Sequence, residues 1–169
     1  MNENVKSILD KFRKRVITEA RKNLTRQKKK ASGRLYKDLS SDVEVYRSGN
    51  FALSFDITEY GEFVDKGVSG TERKYNTPFK FTNKQPPTRV ILPWLKQKGI
   101  KGRGKNGRFI KQNTLAFLIA RSIKKKGLKP SLFFTKPFEN EYKKLSDDLV
   151  EAFGLDVDEF LKYTLNKYE

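Results

Sequence analysis

Residues 42–57 read Asp42-Val43-Glu44-Val45-Tyr46-Arg47-Ser48-Gly49-Asn50-Phe51-Ala52-Leu53-Ser54-Phe55-Asp56-Ile57, and this stretch decides the fold class. Val43 and Val45 alternate with polar neighbours, and Phe51, Leu53, Phe55 and Ile57 alternate with Ala52, Ser54 and Asp56. A period of two lines one face of a strand with apolar side chains. Ser48-Gly49-Asn50 lies between the two runs as a turn signal, so the segment predicts an antiparallel hairpin. The sequence on either side of it follows a different period.

Upstream, Val5, Ile8, Leu9, Phe12, Val16, Ala20 and Leu24 recur at spacings of three and four, which predicts a helix from Glu3 to about Lys30. Its other face is basic, carrying Lys6, Lys11, Arg13, Lys14, Arg15, Arg21, Lys22, Arg26 and Lys28 to Lys30 against only Glu3, Asp10 and Glu19. Downstream, Glu59 to Gly67 reads as a short helical turn closed by glycine. Residues 68–89 are the least regular, with Gly70, Pro78, Pro86 and Pro87. Ile91 to Lys98 predicts a short helix with Pro93 in its first turn. The glycine-rich run Gly99 to Arg108 follows as a loop. A helix is then expected from Asn113 to Lys126, capped at Asn113 or Thr114, with Leu115, Leu118, Ile119 and Ile123 as its apolar face. Leu128 to Phe134 reads as a last strand, and Glu139–Phe153 and Asp156–Tyr168 as two helices split at Gly154.

The fold class is therefore α+β: a long N-terminal helix, a small curved antiparallel sheet flanked by helices, and a C-terminal helical segment. Residues 1–153 read as one domain with an inserted loop region, 68–111, and residues 154–169 as a helical tail. A chain of 169 residues suits one domain with a real core.

Charge narrows the function. The net charge is +17, and self-repulsion on that scale calls for an anionic partner, nucleic acid first among them. A merely solvated basic surface is the bland alternative. Between Lys96 and Lys129 there are twelve lysines and arginines and no acid, whereas acids outnumber lysines from Glu139 onward. A basic body with an acidic end can pair head to tail with copies of itself. Cysteine and histidine are both absent. That excludes disulfides, thiolate metal sites and every nucleophile that relies on an imidazole base. No apolar block opens the sequence, and no stretch approaches the ~18 residues of a membrane span. The expectation is a protein made in a cytoplasm, with no cofactor.

Some patterns invite a catalytic reading. Asp56, Glu59, Glu62 and Asp65 recur at intervals of three and can be read as a magnesium site. Strand alternation, however, turns Asp56 outward, and Glu59 and Glu62 fall on an exposed turn. Glu72-Arg73-Lys74 matches the acid-x-Lys half of a nuclease motif, without the Pro-Asp half. Gly102-x-Gly104-x-x-Gly107 has dinucleotide-fingerprint spacing but no preceding strand and no later acid. More promising is the run itself. Glycine backbone can approach phosphate closely while Lys101, Arg103, Lys105 and Arg108 neutralise charge, making these the DNA-facing candidates. No base-reading motif accompanies them, so the contact would be independent of sequence. Phe79, Phe81 and Trp94, set beside Lys80, Lys84 and Arg89, suit either base stacking or, more commonly, anchoring of a subunit interface.

The order of elements, with Tyr60-Gly61-Glu62-Phe63-Val64-Asp65-Lys66-Gly67 after the hairpin and Lys136-Pro137-Phe138 before the last helices, resembles the tail-completion or head–tail joining proteins of tailed bacteriophages. That family carries an aromatic residue followed by a valine-acid-x-Gly element, matched here by Tyr60, Val64, Asp65 and Gly67, with Asp for the usual Glu and Val68 for the usual Thr. Pro137 and Phe138 match its short Pro-Phe element. The likeness covers about Glu3 to Val150, with a longer loop between Val68 and Lys111. The Lys-, Asn- and Tyr-rich flavour is similar to neck-ring proteins of crAss-like phages. The resemblance implies a non-enzymatic virion protein. Copies would form a ring in the neck, joining portal and connector to tail, with DNA passing through the lumen and no membrane partner. On that reading Phe12, Val16, Tyr60, Phe63, Asp65, Phe79, Phe81, Trp94, Pro137 and Phe138 are the candidates for subunit contact. A sequence-independent nucleic-acid-binding accessory protein is the alternative.

Overall fold

The computed structural model describes residues 3–29, 32–46 and 51–166. The elements are α1 (Glu3–Arg26), α2 (Arg34–Asp38), β1 (Ser40–Val45), β2 (Phe51–Asp56), α3 (Glu59–Lys66), α4 (Thr88–Gln97), α5 (Gln112–Lys126) and α6 (Thr135–Asn166). The fold is mixed helix and strand, as expected, and among the described residues the sheet is the antiparallel pair β1–β2. The turn expected at Ser48-Gly49-Asn50 lies outside the described residues. Two compact units result. One comprises Met1–Asn23, Leu39–Asp56 and Phe133–Glu169, and the other Leu24–Asp38 and Ile57–Leu132.

In the first unit the helical stripe of α1 and the apolar face of the hairpin supply the core. Val43 stands opposite Leu53, and Ser41 opposite Phe55. Val5, Leu9, Phe12 and Val16 bury with Leu145 of α6, while Val43, Leu53, Phe55, Phe134, Phe138 and Leu149 pack around them. Phe12 meets Phe55 and Phe138 edge-on, with centroids 6.2 and 5.7 Å away. Phe55 meets Phe134 at 5.3 Å. Such edge-to-face pairs add about 0.5–1.5 kcal/mol each beyond the burial of their area. Two of the expected basic-face residues serve this unit internally. Arg13 Nη1 donates to the Ser41 carbonyl at 3.0 Å and Arg21 Nη2 to the Leu39 carbonyl at 2.9 Å, fixing the entry to β1.

Helix α6 corrects one expectation: it runs unbroken through Gly154. A glycine inside a helix costs only about 1 kcal/mol relative to alanine. The flanking residues favour helix strongly enough to absorb that.

The second unit holds a two-helix hairpin, α4–α5, around Ile91, Leu95, Ala116 and Ala120. Helix α4 begins at Thr88, earlier than expected, so Pro93 sits inside it. Helix α5 begins at Gln112 with Lys111 at its cap and no side-chain cap bond, so Asn113 and Thr114 are not the cap. The small residues Ala116 and Ala120 face the partner helix, and Leu118 is 44% exposed, contrary to the expected apolar face. The reason is close approach: alanines let the helix backbones come near, and the larger Leu115, Ile119 and Ile123 pack at the flanks.

The irregular stretch after α3 is an ordered knot. Val68 and Leu128 exchange backbone bonds of 2.9 and 2.8 Å as an isolated antiparallel bridge; the expected strand Leu128–Phe134 does not form. The N–H groups of Thr71, Glu72 and Arg73 bond the carbonyls of Lys124 and Lys125, so a loop caps the C-terminal end of α5. Gly70 and Gly127 make this fit possible: a Cβ on Gly127 would lie 2.6 Å from the Gly70 nitrogen. Ser69, 5% exposed, ties the loop together, its hydroxyl donating to the Tyr75 carbonyl and accepting the Tyr75 N–H.

Candidate nucleic-acid interface

Everything from Lys96 to Lys129 is free of acid, and the structure turns this sequence into helix, tight turn and helix. Helix α4 stops because Gly99 takes φ +63°, a left-handed conformation that costs glycine little. The Ile100 N–H then reaches the Leu95 carbonyl at 3.0 Å and the Gly99 N–H the Lys96 carbonyl at 3.1 Å. That is a Schellman closure, with Ile100 packed on the Leu95 cluster. Gln112 Nε2 donates to the Ile100 carbonyl at 3.3 Å and pins the start of α5 beside the end of α4.

Between the helices, residues 102–110 form a small hairpin. The Ile110 N–H bonds the Gly102 carbonyl (3.0 Å), the Gly104 N–H the Arg108 carbonyl (2.9 Å), and the Gly107 N–H the Gly104 carbonyl (2.9 Å). Asn106 Oδ1 accepts the Arg108 N–H at 3.2 Å, an Asx turn at the tip. Arg103 lies over the ring of Phe109, 4.5 Å from its centroid, and donates to the Gly107 carbonyl at 3.3 Å. Lys101 Nζ stands 5.9 Å from the same ring.

The four DNA-facing candidates therefore sit on one turn in two roles. Arg103 and Lys101 grip Phe109, which braces the turn through cation–π contact. Lys105 and Arg108 stand exposed at the tip, and neither pairs with a described acid. A pre-ordered basic tip loses little entropy when it meets phosphate. Phe109 is 63% exposed and was not singled out from the sequence. Its signal was there, in the position of Arg103 and Phe109 on opposite sides of Gly104–Gly107.

The subunit-contact candidates divide by burial. Phe12 (4% exposed) and Val16 (0%) are core, and Pro137 is buried and Phe138 half-buried in the same unit. Asp65 is 3% exposed in the second unit, and its carbonyl accepts the N–H groups of Ser131 and Leu132, each at 3.0 Å. Phe12, Val16 and Phe138 pack with Phe55 and Leu145 of the chain itself, and Pro137 and Asp65 are buried. Burial leaves Phe12, Val16, Asp65 and Pro137 no exposed side chain for the subunit contact expected of them, whereas Phe138 keeps a partly exposed ring. Phe79 is half-buried, edge-on to Phe63 at 4.7 Å, and Phe81 is half-buried with its N–H on the Ser69 carbonyl. Tyr60 (63%), Phe63 (37%) and Trp94 (38%) stay exposed. So do Val90 (60%), Phe117 (48%) and Leu118 (44%) on the α4–α5 hairpin, which sequence reasoning missed as a surface.

Three of the acids read as possible chemistry have structural partners. Asp56 accepts from the Ser40 hydroxyl at 3.1 Å, Glu62 pairs with Lys66 at 3.8 Å, and Glu72 pairs with Lys125 at 2.6 Å. Among the described residues no three acids are grouped so as to hold a metal ion. No helix among the described residues is long and apolar enough to cross a membrane. Compared with protein-family models, with curated proteins and with solved structures, the chain matches none of them.

Proposed function

We propose that this chain is a structural subunit of a phage neck, one copy in a ring that joins the portal and connector to the tail and lets DNA pass. One observation carries this reading: a helix–turn–helix with no acid of its own, whose exposed tip residues Lys105 and Arg108 stand on the hydrogen-bonded turn from Gly102 to Ile110. A lumen through which a whole genome slides needs contacts that grip no base. Lysine and arginine meeting phosphate supply attraction without sequence preference. The likeness in element order to tail-completion proteins supplies the setting, the virion, and the neighbours, portal and tail proteins. No catalytic role is assigned.

Cryo-electron microscopy of virions of the phage that carries this chain tests the reading. A closed ring below the portal, built from this chain with the 102–110 turns toward the lumen, is the expected result. Absence of the chain from purified virions would overturn it. The basic turn would then belong to an accessory protein that binds nucleic acid on its own, a reading the same surface favours because it needs no ring to work.

A further inference from the structure

Leu145 and Leu149 of α6 pack with the first unit's core, and the helix continues to Asn166. Val150, the residue after Leu149, is 73% exposed. At ~1.5 Å per residue the remainder is about 25 Å of helix. In sequence it is amphipathic, with apolar residues at 150, 153, 157, 160 and 161. From Leu145 to Leu161 it carries six acids and no base. A helix of that length is marginal in water by itself, and an apolar stripe along it calls for a surface to lie on.

The α4–α5 hairpin offers the complement. Phe117 and Leu118 are exposed one turn from Arg121 on α5, and Val90 and Trp94 are exposed on α4, in a stretch of sequence that holds no acid. Arg121 and Lys126 have no ion-pair partner among the described residues. Phosphate backbone accounts for the cations but gives no reason to expose phenylalanine, leucine, tryptophan and valine beside them. An acidic amphipathic helix accounts for both.

We propose that the acidic end of α6 docks on the α4–α5 hairpin of a second copy of this chain. The proposal deepens the ring reading and rests on it for its biological setting. Because the two surfaces differ, the contact is heterologous: each copy donates an arm and receives one, the arrangement that closes into rings or extends as filaments. It also leaves the 102–110 turn free for DNA.

Charge reversal on the full-length chain tests it. The hairpin variant is Arg121→Glu with Lys126→Glu; the arm variant is Asp156→Lys, Asp158→Lys and Glu159→Lys. By mass photometry, wild type is expected to form species larger than the monomer at low salt that dissociate as salt rises. Each variant alone should stay monomeric, and a one-to-one mixture should reassociate, since each reversed surface then finds its complement. A monomeric wild type, variants that associate like wild type, or a mixture that stays monomeric would each overturn the docking. The absence of native cysteine permits a second readout that leaves the charges on the hairpin intact. Mixed chains carrying Leu118→Cys and Phe160→Cys should cross-link into a heterodimer, while Lys11→Cys replacing Leu118→Cys should not. Equal cross-linking at Lys11→Cys would mean a general charge attraction and sink the proposal. The outcomes separate from those of the neck reading. Association in solution by a chain missing from virions sinks only the neck, and a virion ring indifferent to charge reversal sinks only the docking.

Discussion

Replacing Lys105 and Arg108 together by alanine removes the two exposed cations at the tip of the 102–110 turn and leaves its backbone bonds in place, since those use main-chain atoms and Asn106. Each phosphate neutralised on duplex DNA contributes about 0.9 to the slope of log affinity against log salt. Two lost contacts should flatten that slope by about 1.8. At ~0.1 M salt the same relation makes each contact worth about 1.2 kcal/mol, so the pair amounts to about 2.4 kcal/mol, a weakening of roughly 60-fold. Fluorescence anisotropy with a labelled duplex, titrated from ~50 to ~200 mM salt, reads both quantities. A shuffled duplex should bind equally, because nothing on the turn is placed to read bases. Lys144→Ala is the control: that cation pairs with Glu141 at 3.3 Å in the other unit, and its loss should leave the slope unchanged. If the double variant keeps the wild-type slope, the turn does not meet DNA and the lumen-facing assignment fails.

Phe12→Ala should cost about 3–5 kcal/mol, the range for emptying a buried aromatic site, and lower the urea midpoint by about 2 M for a slope near 2 kcal/mol/M. Tyr60→Ala should shift it little, as expected of an exposed site; equal shifts would contradict the assignment of Phe12 to the core. Gly70→Ala should destabilise through steric clash with the end of α5, where Gly127 and the Lys125 carbonyl leave no room for a Cβ, and thermal melts report it. The hydrogen bond from Arg13, reinforced by the same cation's charge, holds the Asp10 carboxyl below its ordinary value of 3.8. A lowered pKa stabilises the fold above the ordinary value and loses that contribution as pH falls through the folded one. The melting difference between wild type and Asp10→Asn should therefore be present at neutral pH and shrink under acid; a difference that grows under acid would reverse the sign and refute the pairing.

How much was legible depended on whether a pattern was local. The period of three and four in α1 and the period of two in β1 and β2 name their own elements, since each repeats over enough residues to override single exceptions. The end of α3 at Gly67 and the basic turn from Gly102 to Arg108 were equally local. Leu128–Phe134 misled because an apolar run looks alike whether it pairs as a strand or merely threads past Val68 with one bridge. Gly154 misled because a single weak helix former was weighed without its strong neighbours. Phe12 and Val16 were recognised as apolar. Whether an apolar stripe meets its own chain or another is set by what packs on it, and here Phe55, Phe138 and Leu145 do.

The mixed fold class, the lack of imidazole and thiol side chains, and the segregation of charge into an acid-free middle and an acidic end are all written in the order of residues. Those follow from composition and short-range order alone. Which apolar residues enter the core and which remain outside, and the bracing of the glycine-rich turn by Arg103 on Phe109, emerge only when the chain is folded. Burial and bracing depend on contacts between residues distant in the chain, and no local period encodes those.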